Sequence, residues 1–145
     1  MKEKILEAFA ELGFKLEQMD DFCYGFSYEG ANFIFMPNAD DEEFLSICVP
    51  GIYDLEEGAP LTFIELMNKV NSTLKYIKAY EVGKCIWLFY ERELLGEEDL
   101  VKVISRMILH LEAGLMFSRK AMAEIKSNAE DKGEDNDIVE SDDKE

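Results

Sequence analysis

The chain reads as an α+β domain, an antiparallel sheet with an N-terminal helix and a long C-terminal helix packed on it. Three observations carry that reading. Apolar residues recur at helical spacing at both ends of the body and once in its middle. Between those stretches lie short segments at strand period, in which large apolar residues alternate with smaller ones. Tight turns containing glycine join neighbouring segments, as antiparallel hairpins require. The resulting order is α-β-β-β-α-β-β-α.

The first helix is expected over Lys2 to Leu12, where Ile5, Leu6, Phe9 and Leu12 form one stripe and Gly13 offers a left-handed C-cap. A weak strand around Lys15 to Gln18 precedes the first clear one, in which Phe22, Tyr24, Phe26 and Tyr28 alternate. Glu29-Gly30 reads as a turn, Asn32 to Met36 as the returning strand, and Pro37-Asn38 as its end. Phe44 to Val49 forms a third strand, which Pro50-Gly51 is expected to break. The second helix starts at Pro60, a residue suited to the first helical position, or at Thr62, which has capping-box spacing to Glu65. Its apolar stripe is Leu61, Ile64, Met67, Val70 and Leu74. Tyr76 to Val82 and Cys85 to Tyr90 flank Gly83-Lys84 as a hairpin. The second of these strands is apolar on both faces, so it belongs inside the sheet with something packed on each side. The last helix is expected from Glu97 to about Lys126, with three acids at its start and Arg119, Lys120 and Lys126 near its end.

The 145 residues suit one domain, and 48% apolar content suffices for a core. Acids outnumber bases 32 to 15, a formal charge of −17. Nucleic acid and anionic membranes carry the same sign and are repelled, so neither is expected as a partner. Residues 129–145 hold nine acids and two lysines, a charge of −7, with Ile138 and Val139 as their bulky apolar residues. Such a segment buries too little to offset its ordering entropy and is expected to be a disordered acidic tail. The domain is then residues 1–128, with 23 acids and 13 bases, a charge of −10. The N-terminus has no apolar run of signal-peptide type, and Cys85 to Tyr90 is far too short to span a bilayer, so a cytoplasmic protein is expected.

Nothing in the sequence composes a catalytic set. Cys23, Cys48 and Cys85 lie 25 and 37 residues apart with no CxxC, which points to reduced core thiols and to no metal site. The acidic clusters Asp20-Asp21 and Asp40 to Glu43 lack the alternation of a calcium loop and read as solvated turns. His110, the single histidine, sits in the last helix away in sequence from any serine or cysteine. Phosphate-binding glycine loops are absent, and no cofactor is called for. The aromatic residues speak more clearly. Phe33, Phe35, Trp87 and Phe89 recur at strand period, and no helix is left over to cover a second sheet face. These four are the candidate partner-binding residues, since an uncovered apolar face marks a protein interface.

The stretch Leu66-Met67-Asn68-Lys69-Val70-Asn71, followed by Tyr76 to Glu81, a glycine turn and Cys85 to Tyr90, resembles the YbjN-like proteins, which share a fold with the type III secretion chaperones. Asn68 and Asn71 stand where that family has an Asn-x-x-Asn at the end of an apolar helix, and the motif is expected to be structural. The resemblance implies a small, acidic, bacterial-type homodimer without enzymatic activity that holds or regulates a protein partner along an apolar surface. Two other readings remain beside it. One is a small enzyme or ligand-binding domain with a carboxylate- and tyrosine-lined cleft. The other is an acidic mimic of DNA that inhibits a basic protein.

Overall fold

A computed structural model describes residues 1–143 except 21, 39 and 56–59, with side chains through Asn128. Six strands form one sheet, every neighbouring pair antiparallel: β1 (Glu17–Asp20), β2 (Cys23–Tyr28), β3 (Ala31–Phe35), β4 (Phe44–Asp54), β5 (Ile77–Val82) and β6 (Cys85–Glu93). Their spatial order is β1-β2-β3-β4-β6-β5. Among the described residues the helices are α1 (Lys2–Glu11), α2 (Pro60–Thr73) and α3 (Leu100–Asp143). The α+β class and the element order stand as read, with the weak first strand present as β1.

Local chemistry explains the ends of these elements. Gly13, at φ +86, closes α1 in a Schellman motif: Phe14 N–H donates to Phe9 O and Gly13 N–H to Ala10 O. The accompanying hydrophobic contact is Phe9 with Phe14, ring centroids 6.3 Å apart. Glu29 and Gly30, both at positive φ, form the two-residue turn that sets Tyr28 opposite Ala31. Pro50-Gly51 does not end β4. The strand continues to Asp54 through a bulge, Val49 facing Leu88 and Tyr53 facing Ile86, with Gly51 at φ +58 absorbing the extra residues. Helix α3 begins three residues later than Glu97, because Asp99 caps it: Lys102 N–H donates to Asp99 Oδ1.

The three helices cover one face of the sheet. Phe9 of α1, Phe63, Leu66 and Val70 of α2, and Ile104, Met107, Ile108 and Leu111 of α3 pack on Phe26, Phe35, Ile47, Ile86 and Leu88. Gly114 of α3 faces Leu74 and Ile77, where a Cβ would find ordinary van der Waals contact at 3.5 Å. The buried stripe of α2 is turned from the expected one. Leu61 and Ile64 are 72% and 56% exposed, and Phe63, Leu66 and Val70 take the core face. Helix α3 is drawn to Asp143, so the expected boundary at residue 128 falls within it. The side chains of residues 129–145 lie outside the described residues, as do Asp21, Glu56 and Glu57. Among the described residues no helix is long and apolar enough to cross a membrane.

Candidate functional site: the uncovered sheet face

Strand parity assigns every side chain to one of two faces. On β6, Ile86, Leu88 and Tyr90 point to the helices, and Trp87 and Phe89 point away. Phe89 joins Ile34 and Cys48 in a second apolar cluster, with Cys23, Met36, Val82 and Trp87 packed around it. Among the described residues, this face carries no covering element. The strand that is apolar on both sides is interior to the sheet, as read, but its second side is covered only by neighbouring side chains.

The cluster is ordered by ring and sulfur contacts. Tyr80 lies parallel to Phe89 at 4.2 Å between centroids, and Trp87 follows at 6.2 Å. Cys48 Sγ and Met36 Sδ are 3.6 Å apart. Met19 lies across Gly25, so close that a Cβ there would come within 2.9 Å of its sulfur. Lys78 and Glu91 form an ion pair of 3.0 Å at one border, where Ser46 Oγ lies 3.4 Å from the same carboxylate. Tyr80 is 38% exposed and Phe89 only 4%. The result is an aromatic and sulfur-rich floor with a polar rim.

The candidate set divides between the faces. Phe33 and Phe35 are buried at 0% and 1%, against Phe26 and Phe9 respectively, in the core beneath the helices. Trp87 and Phe89 lie on the open side. The four residues therefore do not share a surface. The reason was present in the sequence: a two-residue turn at Glu29-Gly30 sets Phe26 opposite Phe33 and Tyr24 opposite Phe35. Tyr80, Met36 and Cys48 belong to the open face by the same parity and were not among the candidates. Tyr80 is Trp87's partner across the Gly83 turn.

Asn71 makes two hydrogen bonds to one residue of β5. Its Nδ2 donates to Ala79 O at 2.8 Å, and its Oδ1 accepts from Ala79 N–H at 2.7 Å. The carboxamide thus pairs with the outer edge of β5 as a strand residue would, tying the end of α2 to the sheet. Asn68 is exposed.

The remaining titratable groups have structural surroundings. Burial pushes the Cys48 thiol up to about 12, with smaller contributions from Cys23 and Glu91. Burial and Asp20 also raise Cys23. Both are held as thiols at neutral pH and are poor nucleophiles. Asp20 Oδ1 accepts from Phe22 N–H at 2.7 Å and Asp41 Oδ1 from Glu43 N–H at 3.3 Å, so these acids close turns. Among the described residues no group of histidine, cysteine and carboxylate side chains is placed to hold a metal ion. His110 lies beside the Tyr76 and Tyr90 rings, 5.3 and 5.9 Å from their centroids.

Among the described residues, a six-stranded antiparallel sheet with its helices on one side and an apolar opposite face defines a two-layer scaffold. The sequence matches no protein-family profile, and no curated protein matches it. Solved structures do share the fold. An uncharacterized protein from Methanothermobacter thermautotrophicus superposes with a TM-score of 0.56 at 15% identity, over 88% of this chain and 97% of that one. A chain of the heterodimeric ExoU–SpcU complex from the type III secretion system of Pseudomonas aeruginosa gives 0.53 at 18% identity, over 82% and 94%. YbjN, a putative transcription regulator from E. coli, gives 0.53 at 8%, over 90% and 93%. The chain thus has a fold like that of YbjN and of a type III secretion complex subunit. At these identities the likeness is one of fold alone.

Proposed function

We propose that this chain is a non-enzymatic, cytoplasmic protein-binding module that holds or regulates a protein partner through its open sheet face and works as a homodimer. The observation that carries the reading is the apolar cluster on the face without a helix, where exposed Tyr80 and half-buried Trp87 and Met36 lie over the buried Phe89 and Ile34. Aromatic residues and methionine are enriched at the centres of protein interfaces, and the Lys78–Glu91 pair provides a polar rim of the usual kind. Leu61 and Ile64, exposed on α2, supply a second apolar surface for the same purpose. The likeness to a subunit of the ExoU–SpcU heterodimer supports a protein partner at the level of fold.

Light scattering on the purified protein at tens of micromolar tests the dimer. The expected result is twice the chain mass for the native protein and a monomer for Trp87→Asp or Ile64→Asp that keeps the native circular dichroism spectrum and melts somewhat lower, as loss of association requires. A strict monomer in the native protein overturns the dimer. If every substitution on the open face that keeps the fold leaves both self-association and capture of co-purifying protein unchanged, the face is not the interface.

A further inference from the structure

A second site lies away from the open face, where the far end of β6 and Tyr76 meet the first turns of α3. A cavity of about 570 Å³ opens there, lined by Tyr76, Tyr90, Arg92, Lys102, Arg106 and His110, with Glu98 and Asp99 on its wall. That volume lies in the range of small-ligand sites. Its charge is opposite to that of the chain. Acids outnumber bases about two to one overall, yet three cations converge here. Lys102, Arg106 and His110 fall four residues apart on α3 and so share one face of the helix.

The two carboxylates pair only one of the three cations, Arg92 with Glu98, and leave Lys102 and Arg106 unpaired. Glu98 accepts from the amides of Leu95 and Gly96 and from Arg92 Nη2 at 2.7 Å. Asp99 accepts from the Lys102 amide as the helix cap. Among the described residues, Lys102 and Arg106 have no carboxylate partner. Beside them stands an aromatic platform. Tyr76 stacks on Tyr90 at 5.5 Å and 8°, with 65% of its surface still exposed. It is held there in a left-handed conformation, φ +68, that a non-glycine residue adopts at a cost.

From this juxtaposition we infer that the cleft binds a small anionic ligand carrying a planar ring, the anionic group on Lys102 and Arg106 and the ring on the free face of Tyr76. Guanidinium and ammonium groups together recognise phosphate or carboxylate oxygens, and a tyrosine face accepts a flat ring. The cleft is tyrosine-lined, as the ligand-binding alternative expects, but it selects for anions through unpaired cations rather than through carboxylates.

The test is an NMR titration of the full chain with three probes: phenyl phosphate, inorganic phosphate and benzyl alcohol. Phenyl phosphate is expected to shift the ring signals of Tyr76 and His110 saturably, inorganic phosphate to bind more weakly, and benzyl alcohol not to saturate. Lys102→Ala and Arg106→Ala are each expected to weaken phenyl phosphate by about tenfold, with Arg106→Lys restoring part of the loss. Lys102 and Arg106 are both exposed, so the variants are expected to fold, and a melting temperature like that of the native protein checks each of them. Trp87→Asp is expected to leave the titration unchanged, which separates this site from the protein-binding face. Absence of saturation with phenyl phosphate overturns the inference, as do shifts that persist undiminished in Lys102→Ala or spread over other surface lysines.

Discussion

Asn71 shows how much one side chain can settle. Replacing it with alanine leaves the Ala79 amide and carbonyl without the partners they now have. Asn71→Ala is expected to cost about 1–3 kcal/mol in urea unfolding, and Asn71→Asp to recover only part, since a carboxylate accepts but cannot donate. Asn68→Ala, at an exposed position, is expected to change stability by no more than about 0.5 kcal/mol. The paired asparagines of the sequence motif are thus unequal, and nothing in their spacing distinguished them. Glu98 supplies a pH signature. Hydrogen bonds from the Leu95 and Gly96 amides, with Arg92, hold its carboxyl below the usual carboxylate range. A carboxyl lowered in the folded state stabilises it above the ordinary carboxylate value and loses that contribution as pH falls through the lowered one. Glu98→Gln is therefore expected to melt below the native protein at neutral pH, the gap closing in strong acid. Cys48 gives a third readout. With its thiol pushed up to about 12 by burial, iodoacetamide should leave it unmodified in the folded protein near pH 8 and alkylate it in urea.

At the scale of elements, local signals were legible wherever they depended on residues close in sequence. The glycine C-cap of α1, the Glu29-Gly30 and Gly83-Lys84 turns and the strand alternation all formed where expected. Two features depended on distant contacts and were not legible. The bulge at Pro50-Gly51 exists because β6 is long enough to pair on both sides of it, from Glu93 to Cys85. The rotation of α2 arises because both Leu61-Ile64 and Phe63-Leu66-Val70 are apolar, and only the sheet decides which stripe it covers. The candidate face was half legible for a related reason: parity joined Phe33 and Phe35 to Phe26, but this required following the register through the turn. The rotation is testable. Leu66→Ala removes a fully buried side chain and is expected to cost about 2–5 kcal/mol. Ile64→Glu is expected to leave folding stability nearly unchanged, by about 0.5 kcal/mol or less. The reverse order of effects in chemical denaturation would place the other stripe inward.

Charge ties these elements together at the scale of the molecule. The −17 is unevenly distributed: residues 129–145 supply −7 and the remainder −10. Within that remainder one cleft gathers Arg92, Lys102 and Arg106, and one sheet face is apolar and aromatic. An acidic surface around an apolar patch keeps such a protein dispersed without closing the patch to a partner. The anchors of α3 on the body extend at least to Ala121 and Ile125, both buried, and Lys126 reaches the Tyr53 ring at 5.4 Å. Beyond them the sequence offers two bulky apolar residues among nine acids. Shortening the chain to residues 1–128 is therefore expected to keep the core and leave the melting temperature within a few degrees of the full-length value. Removing seven net negative charges also weakens self-repulsion, so that any shift is expected to be upward at low salt and to vanish as salt screens the charges. A drop of many degrees in calorimetry would mean instead that the acidic segment docks on the body, and Lys102 and Arg106 would be the first cations to substitute in search of its seat.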